Sequence, residues 1–220
     1  MLRVLASVLI VLALFVPAAG AEVPLKVTWE NLVPPAPPLK DPLSHLSADH
    51  QVELELVYTA REMKRRGLTG GNGPPVAEAL NMEAKLKQDG LDIDGLLARY
   101  HEYNQTLVKL GEAVVPGLDN RDIRIAGYAL PLEFTGKGVT EFLLVPYVGA
   151  CIHSPPPPPN QMVFVRLNQS FLIKDLYAPV WVTGRMAIKP TMNQLSLVDG
   201  RANVNTGYML AATGVEEYKE

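Results

Sequence analysis

The spacing of apolar residues divides this chain into a helical part and a part made of strands. Between residues 47 and 110, apolar residues recur every three or four positions, as they do on one face of a helix. Ser47 is a good N-cap residue, and Gly67 and Gly90 are suited to end helices. Three helices are therefore predicted, over Ser47–Arg66, over Pro75–Gln88 and from about Asp92 to Leu110.

From Val114 onward, the apolar positions follow the two-residue period of strands. Residues 142–145 are continuously apolar, which predicts a strand covered on both faces. In the next segment, Met162 and Phe164 should face opposite to Val163 and Val165. Five strands are predicted in all, over residues 121–134, 141–148, 161–167, 178–188 and 206–218.

Gly127 and Gly184 lie inside predicted strands, where glycine often marks a bend or a bulge. Five short antiparallel strands with interior glycines favour a small, partly open barrel of the OB type. The predicted fold is α+β, with an N-terminal helical segment followed by a five-stranded antiparallel OB-like β-barrel. Its predicted divisions are a signal peptide (1–21), a proline-rich extended arm (22–45), a helical segment (46–112) and the OB-like domain (113–220).

The first 21 residues have the features of a secretory signal peptide. Arg3 gives a basic start, residues 4–16 are apolar, and Ala19 and Ala21 fit an A-x-A cleavage site. Cleavage after Ala21 predicts an exported protein, either periplasmic or secreted. The apolar run is too short to remain as a membrane anchor, so no membrane span is expected in the mature chain.

The arm that follows is broken by four prolines between residues 34 and 38. These prolines exclude a helix or a central strand and favour extended, polyproline-like backbone. Trp29, Leu32 and Val33 can attach the arm to the main body. A docked arm is preferred over a free linker, because a solvated linker has little use for a tryptophan.

The net charge and the cysteine content limit the classes of function that the protein can have. The formal net charge is −3 and becomes −4 when Arg3 leaves with the signal peptide. A mildly acidic exported chain is a poor nucleic-acid binder, so no nucleic-acid partner is predicted. The single cysteine, Cys151, cannot form an internal disulfide. In an oxidising compartment it must be buried, bound to metal, paired between chains or reactive.

Cys151 and His153 form the sharpest candidate site. In extended backbone, residues two positions apart point to the same side, so both side chains can hold one ion. Thiolate and imidazole are the pair that zinc and copper(I) prefer, and zinc is the favoured metal. A stable zinc site needs further ligands, for which the candidates are His45, His50, His101 and carboxylates such as Glu133. The alternative is a packed thiol and a hydrogen-bonded imidazole that stabilise the turn.

Catalysis by Cys151 is a weaker alternative. A nucleophilic cysteine needs a base and a third group that orients the base, and the sequence nominates no such orienting group. The flanking residues match no cysteine-hydrolase signature, and there is no C-x-x-C pair for thiol exchange. The protein is therefore predicted not to be an enzyme.

A run of prolines follows His153 and has two interpretations. Polyproline offers preformed apolar ridges to an aromatic groove of a partner, or it serves as a rigid connector between strands. The side chains of Asn160 and Gln161 suit the second interpretation, because their amides can fasten the turn to backbone. The predicted partner-binding residues are Trp29, Pro155, Pro156, Pro157, Pro158, Pro159, Asn160 and Gln161.

Several segments together resemble a known family. They are TWENLVP, DIRIAGYALPLEF, FLLVPYVGACIHSPPPPPNQMVFV and APVWVTGRMAI. They resemble exported bacterial proteins catalogued only as a domain of unknown function, and the resemblance covers residues 27–34 and most of 115–218. It implies a periplasmic accessory protein, often encoded beside an ABC transporter whose permease is of the lipoprotein-release or macrolide-export type. Some of those gene clusters respond to zinc shortage.

The expected function combines the resemblance with the residue-level interpretation. We expect a non-enzymatic periplasmic accessory or binding protein of an ABC-type transport system, linked to zinc or another metal. The permease, or another envelope protein, is the expected partner. The alternative is a metal-free structural or protein-interaction module of the cell envelope.

Overall fold

The computed structural model describes residues 23–68, 76–132, 138–148, 156–173, 178–197 and 200–218. Within these residues the chain forms three helices, six strands and three short 3-10 turns. Among them, no helix combines the length and the apolar character that a membrane crossing requires. Cys151, His153, Pro155 and the predicted signal peptide lie outside the described residues.

The three predicted helices are confirmed, as α1 (Ala48–Arg65), α2 (Val76–Gln88) and α3 (Ile93–Glu112). Their ends follow local signals. The Ser47 hydroxyl accepts a hydrogen bond from the backbone N–H of His50, and the Asp92 carboxylate accepts one from Gly95. Gly67 and Gly90 follow the first two helices with φ of 70° and 82°, a conformation that favours glycine.

The helices bury a small core of their own. Its residues come from all three helices and from the end of the arm, and they are Leu43, Leu54, Val57, Leu86, Ile93, Leu96 and Leu97. The second half of α3 continues beyond this helical core towards the sheet, where its last turn meets the turn Pro159–Gln161. The helix α3 therefore links two separately packed regions.

The strands form one mixed sheet with the order β1-β2-β3-β4-β6-β5. The strands are β1 (Leu25–Val27), β2 (Asp122–Pro131), β3 (Val139–Val145), β4 (Val163–Phe171), β5 (Pro179–Leu197) and β6 (Gly200–Glu217). Two of the pairings are parallel, β1 with β2 and β4 with β6. The remaining pairings are antiparallel, including a second pairing of β2 with β5. The prediction of a five-stranded antiparallel OB-like barrel is therefore wrong.

Two features of the sequence explain this error. The strand β1 has only three residues and lies in a proline-rich arm. Because proline is unfavourable in most strand positions, the sequence did not indicate a strand there. The strands β5 and β6 have 19 and 18 residues, much longer than predicted, because they continue as a two-stranded ribbon from Thr191 to Thr206. Pro190 looks like the end of a strand in the sequence. It lies at an irregularity of the pairing between Ile188 and Thr191, where a strand tolerates proline.

The sheet buries apolar residues on both faces at β3, as the sequence predicted. Phe142 and Leu144 belong to the first sheet core, whereas Leu143 and Val145 belong to the second sheet core. The second core also contains Leu195, which the β5–β6 ribbon contributes. The predicted opposition in β4 is confirmed too, since Val163 and Val165 lie in the first core and Met162 and Phe164 in the second. The predicted bulge at Gly184 is present in the pairing of β5 with β6.

Candidate functional site

The proline connection between β3 and β4 is held at its C-terminal end by two side-chain amide groups. Pro158 has φ −61° and ψ 154°, as in a polyproline helix, and Pro159–Gln161 then form a 3-10 turn. Asn160 is only 1% exposed, and its amide donates hydrogen bonds to the backbone carbonyls of Leu110 (2.7 Å) and Ala113 (2.8 Å). Asn160 thereby satisfies carbonyl groups at the end of α3 that the helix itself leaves unpaired.

The next residue fastens the same turn to the arm. The side-chain amide of Gln161 donates to the backbone carbonyl of Trp29 at 2.9 Å. The Trp29 indole N–H in turn donates to the carbonyl of Ala126 at 2.8 Å. The ring lies over Gly127, where an added Cβ would come within 2.8 Å of the indole. The arm is therefore docked on β2, and Trp29 is half-buried rather than free.

Tyr208 completes this set of contacts from inside the first sheet core. Its side chain is fully buried, and burial raises the pKa of its hydroxyl above the ordinary value. The hydroxyl donates to the carbonyl of Leu32 and accepts from the backbone N–H of Val115, both at 2.7 Å. One phenol thus joins the arm, β6 and the segment that follows α3.

We call these six residues the junction: Trp29, Leu32, Val115, Asn160, Gln161 and Tyr208. Two glycines allow its close packing. A Cβ added at Gly111 would come within 2.7 Å of the Cβ of Pro158, and one at Gly207 within 2.9 Å of the Val114 side chain. The chemistry of the junction is that of neutral hydrogen bonds between groups that are already paired. It is suited to holding segments in place rather than to acid–base or nucleophilic work.

The predicted partner-binding residues differ in accessibility. Asn160 and Gln161 serve internal contacts, as the connector interpretation proposed, and Pro157 is buried. Pro156 and Pro158 are exposed. Tyr147 and Val148, which follow β3 at the other end of the connection, are also exposed. The described residues at both ends of the connection therefore expose apolar surface.

Cys151, His153 and Glu133 of the zinc prediction lie outside the described residues, but the three other candidate ligands can be placed, and His45 is exposed. His50 lies 3.4 Å from the carboxylate of Asp89. Both ring nitrogens of His101 have partners, the hydroxyl of Tyr58 at 2.9 Å and the amide of Gln105 at 2.7 Å. Among the described residues, no group of three or more His, Cys, Asp and Glu side chains is arranged to hold a metal ion. Metal binding at Cys151 and His153 stays a prediction.

The sequence did not predict a cleft that lies beside the junction. Its volume is about 460 Å³, and it lies between the end of α3 and the β5–β6 ribbon. Its walls are formed by Glu112, Pro159, Pro190, Thr191, Met192, Asn205, Thr206 and Gly207. The strand pattern gave no signal for it, because the predicted strands end at residue 188 and begin again only at residue 206. Gly207, at the start of a predicted strand, was the one usable hint of close packing.

A sequence profile places the chain in a family. The chain belongs to the family described as proteins of unknown function (DUF3299), whose sequence profile matches residues 29–217. This confirms the resemblance noted in the sequence at the level of the family.

One solved structure and the curated proteins complete the comparison. The chain is similar to the crystal structure of a DUF3299 family protein from Pseudomonas aeruginosa. The identity is 27%, 90% of this chain and 98% of that chain are covered, and the TM-score is 0.48. No curated protein matches the chain.

Proposed function

We propose that this protein is a non-enzymatic accessory protein of the cell envelope that binds a partner through two proline-rich segments. The first segment is residues 33–40 of the arm, and the second is residues 155–158 of the connection. The observation that carries this proposal is that both segments leave the same junction. Leu32, held by Tyr208, precedes the first, and Pro159, at the start of the anchored turn, follows the second.

The physical argument rests on preorganisation. A proline segment loses little conformational freedom on binding, and a fixed attachment lowers the cost further. Val33 and Leu39 are each 39% exposed, so the first segment offers apolar side chains as well as prolines. Such a surface suits an aromatic-lined groove. By contrast, the junction residues have their polar atoms paired internally, which suits a scaffold.

The finer form of the proposal concerns the partner. We propose the permease of an ABC-type transporter encoded beside this protein, with export by the N-terminal signal bringing the two together. The resemblance to exported accessory proteins supports this choice. Pull-down of the periplasmic domain of that permease by the mature chain tests it. Val33→Ser combined with Leu39→Ser should weaken capture several-fold, whereas Leu172→Ser, at an exposed leucine outside both segments, should not. No capture by the intact chain would refute the choice of partner.

Zinc is proposed as the metal for Cys151 and His153, which lie on the same connection. Thiolate and imidazole would supply two of the ligands, and the metal would couple partner binding to zinc supply. Titration of the mature chain with zinc should show micromolar or tighter binding that Cys151→Ser and His153→Ala both abolish. No binding by the intact chain would leave the metal-free interaction module. Rapid modification of Cys151 by thiol reagents at neutral pH would instead favour the cysteine-dependent enzyme.

A further inference from the structure

We propose that the cleft beside the junction binds an extended peptide segment of a partner, and that this segment carries a lysine or arginine. The peptide would add to the edge of β6 and place its cationic side chain against Glu112. The site is separate from the two proline segments and does not depend on the identity of the permease. Three observations support it: an open strand edge, a boundary that keeps the edge open, and a local negative charge.

The strand β6 has an unpaired edge ahead of its pairing with β4. It pairs with β5 from Gly200 to Glu217, but with β4 only from Tyr208 to Ala212. Within the described residues, positions 203–206 have no strand neighbour on the β4 side. In an antiparallel pair, every second residue directs its N–H and C=O away from its partner. Edge groups that have no strand partner can pair with an added strand, which is a common way to recognise peptides.

The edge stays unpaired because β4 begins only at Val163, after the turn that the junction anchors. The turn Pro159–Gln161 precedes β4 and packs against Gly207, where an added Cβ would lie 3.3 Å from the carbonyl oxygen of Pro159. Because the chain turns at this point, it cannot continue along β6 towards Asn205. The space that remains is the cleft, whose volume of about 460 Å³ lies in the range of ligand pockets.

The charge at the cleft favours a cation. Glu112 is the last residue of α3, is exposed, and forms no ion pair with any residue that the structure describes. The negative end of the helix dipole adds to its charge. Lys109 is the one basic residue in the last turn of α3, and Lys189 precedes Pro190, but neither lines the cleft. Among the wall residues that the structure describes, no cation therefore neutralises the carboxylate.

The remaining walls suit the apolar part of an extended peptide. Met192 is 67% exposed, and Pro159 and Pro190 add apolar surface. Side chains of an added strand alternate between the two faces. One set can therefore contact Met192 and the prolines while backbone groups bond to β6. A methionine side chain adapts to different partners, which fits a site that recognises a class of segment rather than one sequence.

Selection from a phage-displayed library of random heptapeptides, with the immobilised mature chain as target, tests the proposal. We expect enriched peptides to contain lysine or arginine flanked by β-branched or apolar residues. Glu112→Gln should weaken a synthetic peptide from the enriched set about three- to fivefold, as expected for one exposed ion pair. Met192→Asp should weaken it at least as much. In amide hydrogen exchange, the bound peptide should slow exchange between Asn205 and Gly207.

Matched variants distinguish the cleft from general surface effects. Glu102→Gln removes an exposed carboxylate from the same helix, and Val108→Asp adds a charge at an exposed apolar position of it; neither should change binding. The proposal is overturned if no sequence is enriched, if the enriched peptides lack a basic residue, or if Glu112→Gln has no effect. It is equally overturned if the edge is covered by a second copy, so that the mature chain dimerises and Glu112→Lys dissociates the dimer.

Discussion

The contacts that join distant segments to the sheet and the ion pairs that join the helices use polar side chains in opposite ways. Around the sheet, Tyr208 and Asn160 are buried and neutral, and each pairs with two backbone groups from other segments. Between the helices, Arg61 forms ion pairs with Glu83 and Asp94 at the surface. A buried neutral group is costly to leave unpaired, whereas an exposed ion pair contributes little. The contacts of Tyr208 and Asn160 therefore fix the positions of segments, whereas the ion pairs of Arg61 adjust stability.

Tyr208→Phe should produce the largest effect. It removes a hydroxyl and leaves the buried Leu32 carbonyl and the partly buried Val115 N–H without this partner, which should cost about 2–4 kcal/mol of unfolding free energy. Urea unfolding followed by tryptophan fluorescence measures it, because Trp29 and Trp181 both lie at the sheet. Tyr147→Phe, at an exposed tyrosine, is the control. A loss below about 1 kcal/mol would contradict the role given to Tyr208.

The same hydroxyl predicts sensitivity to alkali. Burial raises the pKa of Tyr208 in the folded protein above that of the unfolded chain. The stabilisation is therefore complete below the ordinary tyrosine pKa of about 10 and is lost as pH rises through the higher folded value. The unfolding free energy measured by tryptophan fluorescence should fall above about pH 10. The contribution of Tyr208 to this fall should be absent from Tyr208→Phe.

Asn160→Leu should have the next largest effect, about 1–3 kcal/mol, because the carbonyls of Leu110 and Ala113 lose their donor. Since these bonds join α3 to the turn before β4, the change should loosen the link between the two regions. Hydrogen exchange should accelerate in the last turn of α3, with less change in β3. Gln161→Leu removes the bond to Trp29 and should cost less. Equal exchange in wild type and Asn160→Leu would refute the link.

Gly111→Ala probes the packing of α3 on the proline connection. The added methyl group would lie 2.7 Å from the Cβ of Pro158, so one of the two must shift. The cost of this overpacking should exceed the gain of about 1 kcal/mol in helix propensity. The net loss of unfolding free energy should be about 1 kcal/mol. Gly117→Ala, with no atom within 4 Å of the new carbon, should be close to neutral. Thermal unfolding of both variants makes the comparison, and a stabilised Gly111→Ala would contradict it.

Arg61→Met should have the smallest effect, about 0.5–1 kcal/mol, seen in helical circular dichroism but not in tryptophan fluorescence. Hydrogen bonds from Arg61 and then Lys87 lower the pKa of Glu83. That stabilisation is present above the ordinary glutamate pKa of about 4.3 and is lost as pH falls through the lower folded value. Acid should therefore weaken the helical region of the wild type more than that of Arg61→Met. If Arg61→Met lost the same unfolding free energy at pH 7 and at pH 3, the result would argue against a contribution of the ion pairs.

Local signals made the helices and the strand faces predictable. Ser47 and Asp92 cap helices with their own side chains, and Gly67 and Gly90 adopt positive φ where the helices end. These interactions span only a few residues, so they can be read from the sequence. The burial of β3 on both faces follows equally from its unbroken apolar run. The structural role of the proline connection was predicted in part, because Asn160 and Gln161 were expected to bond the turn to backbone.

The sequence by itself therefore determined the helices, the strand faces and the docking of the arm through Trp29. Tertiary structure alone decided the parallel pairing of β1 with β2, the ribbon beyond Pro190 and the contacts of Tyr208. The bond from Tyr208 to Leu32 spans 176 residues, and no local pattern encodes such a contact. Partners in a sheet are chosen by packing between distant segments. For the same reason, the cleft at Glu112 and Asn205 exists only where a helix end, a turn and a strand edge meet.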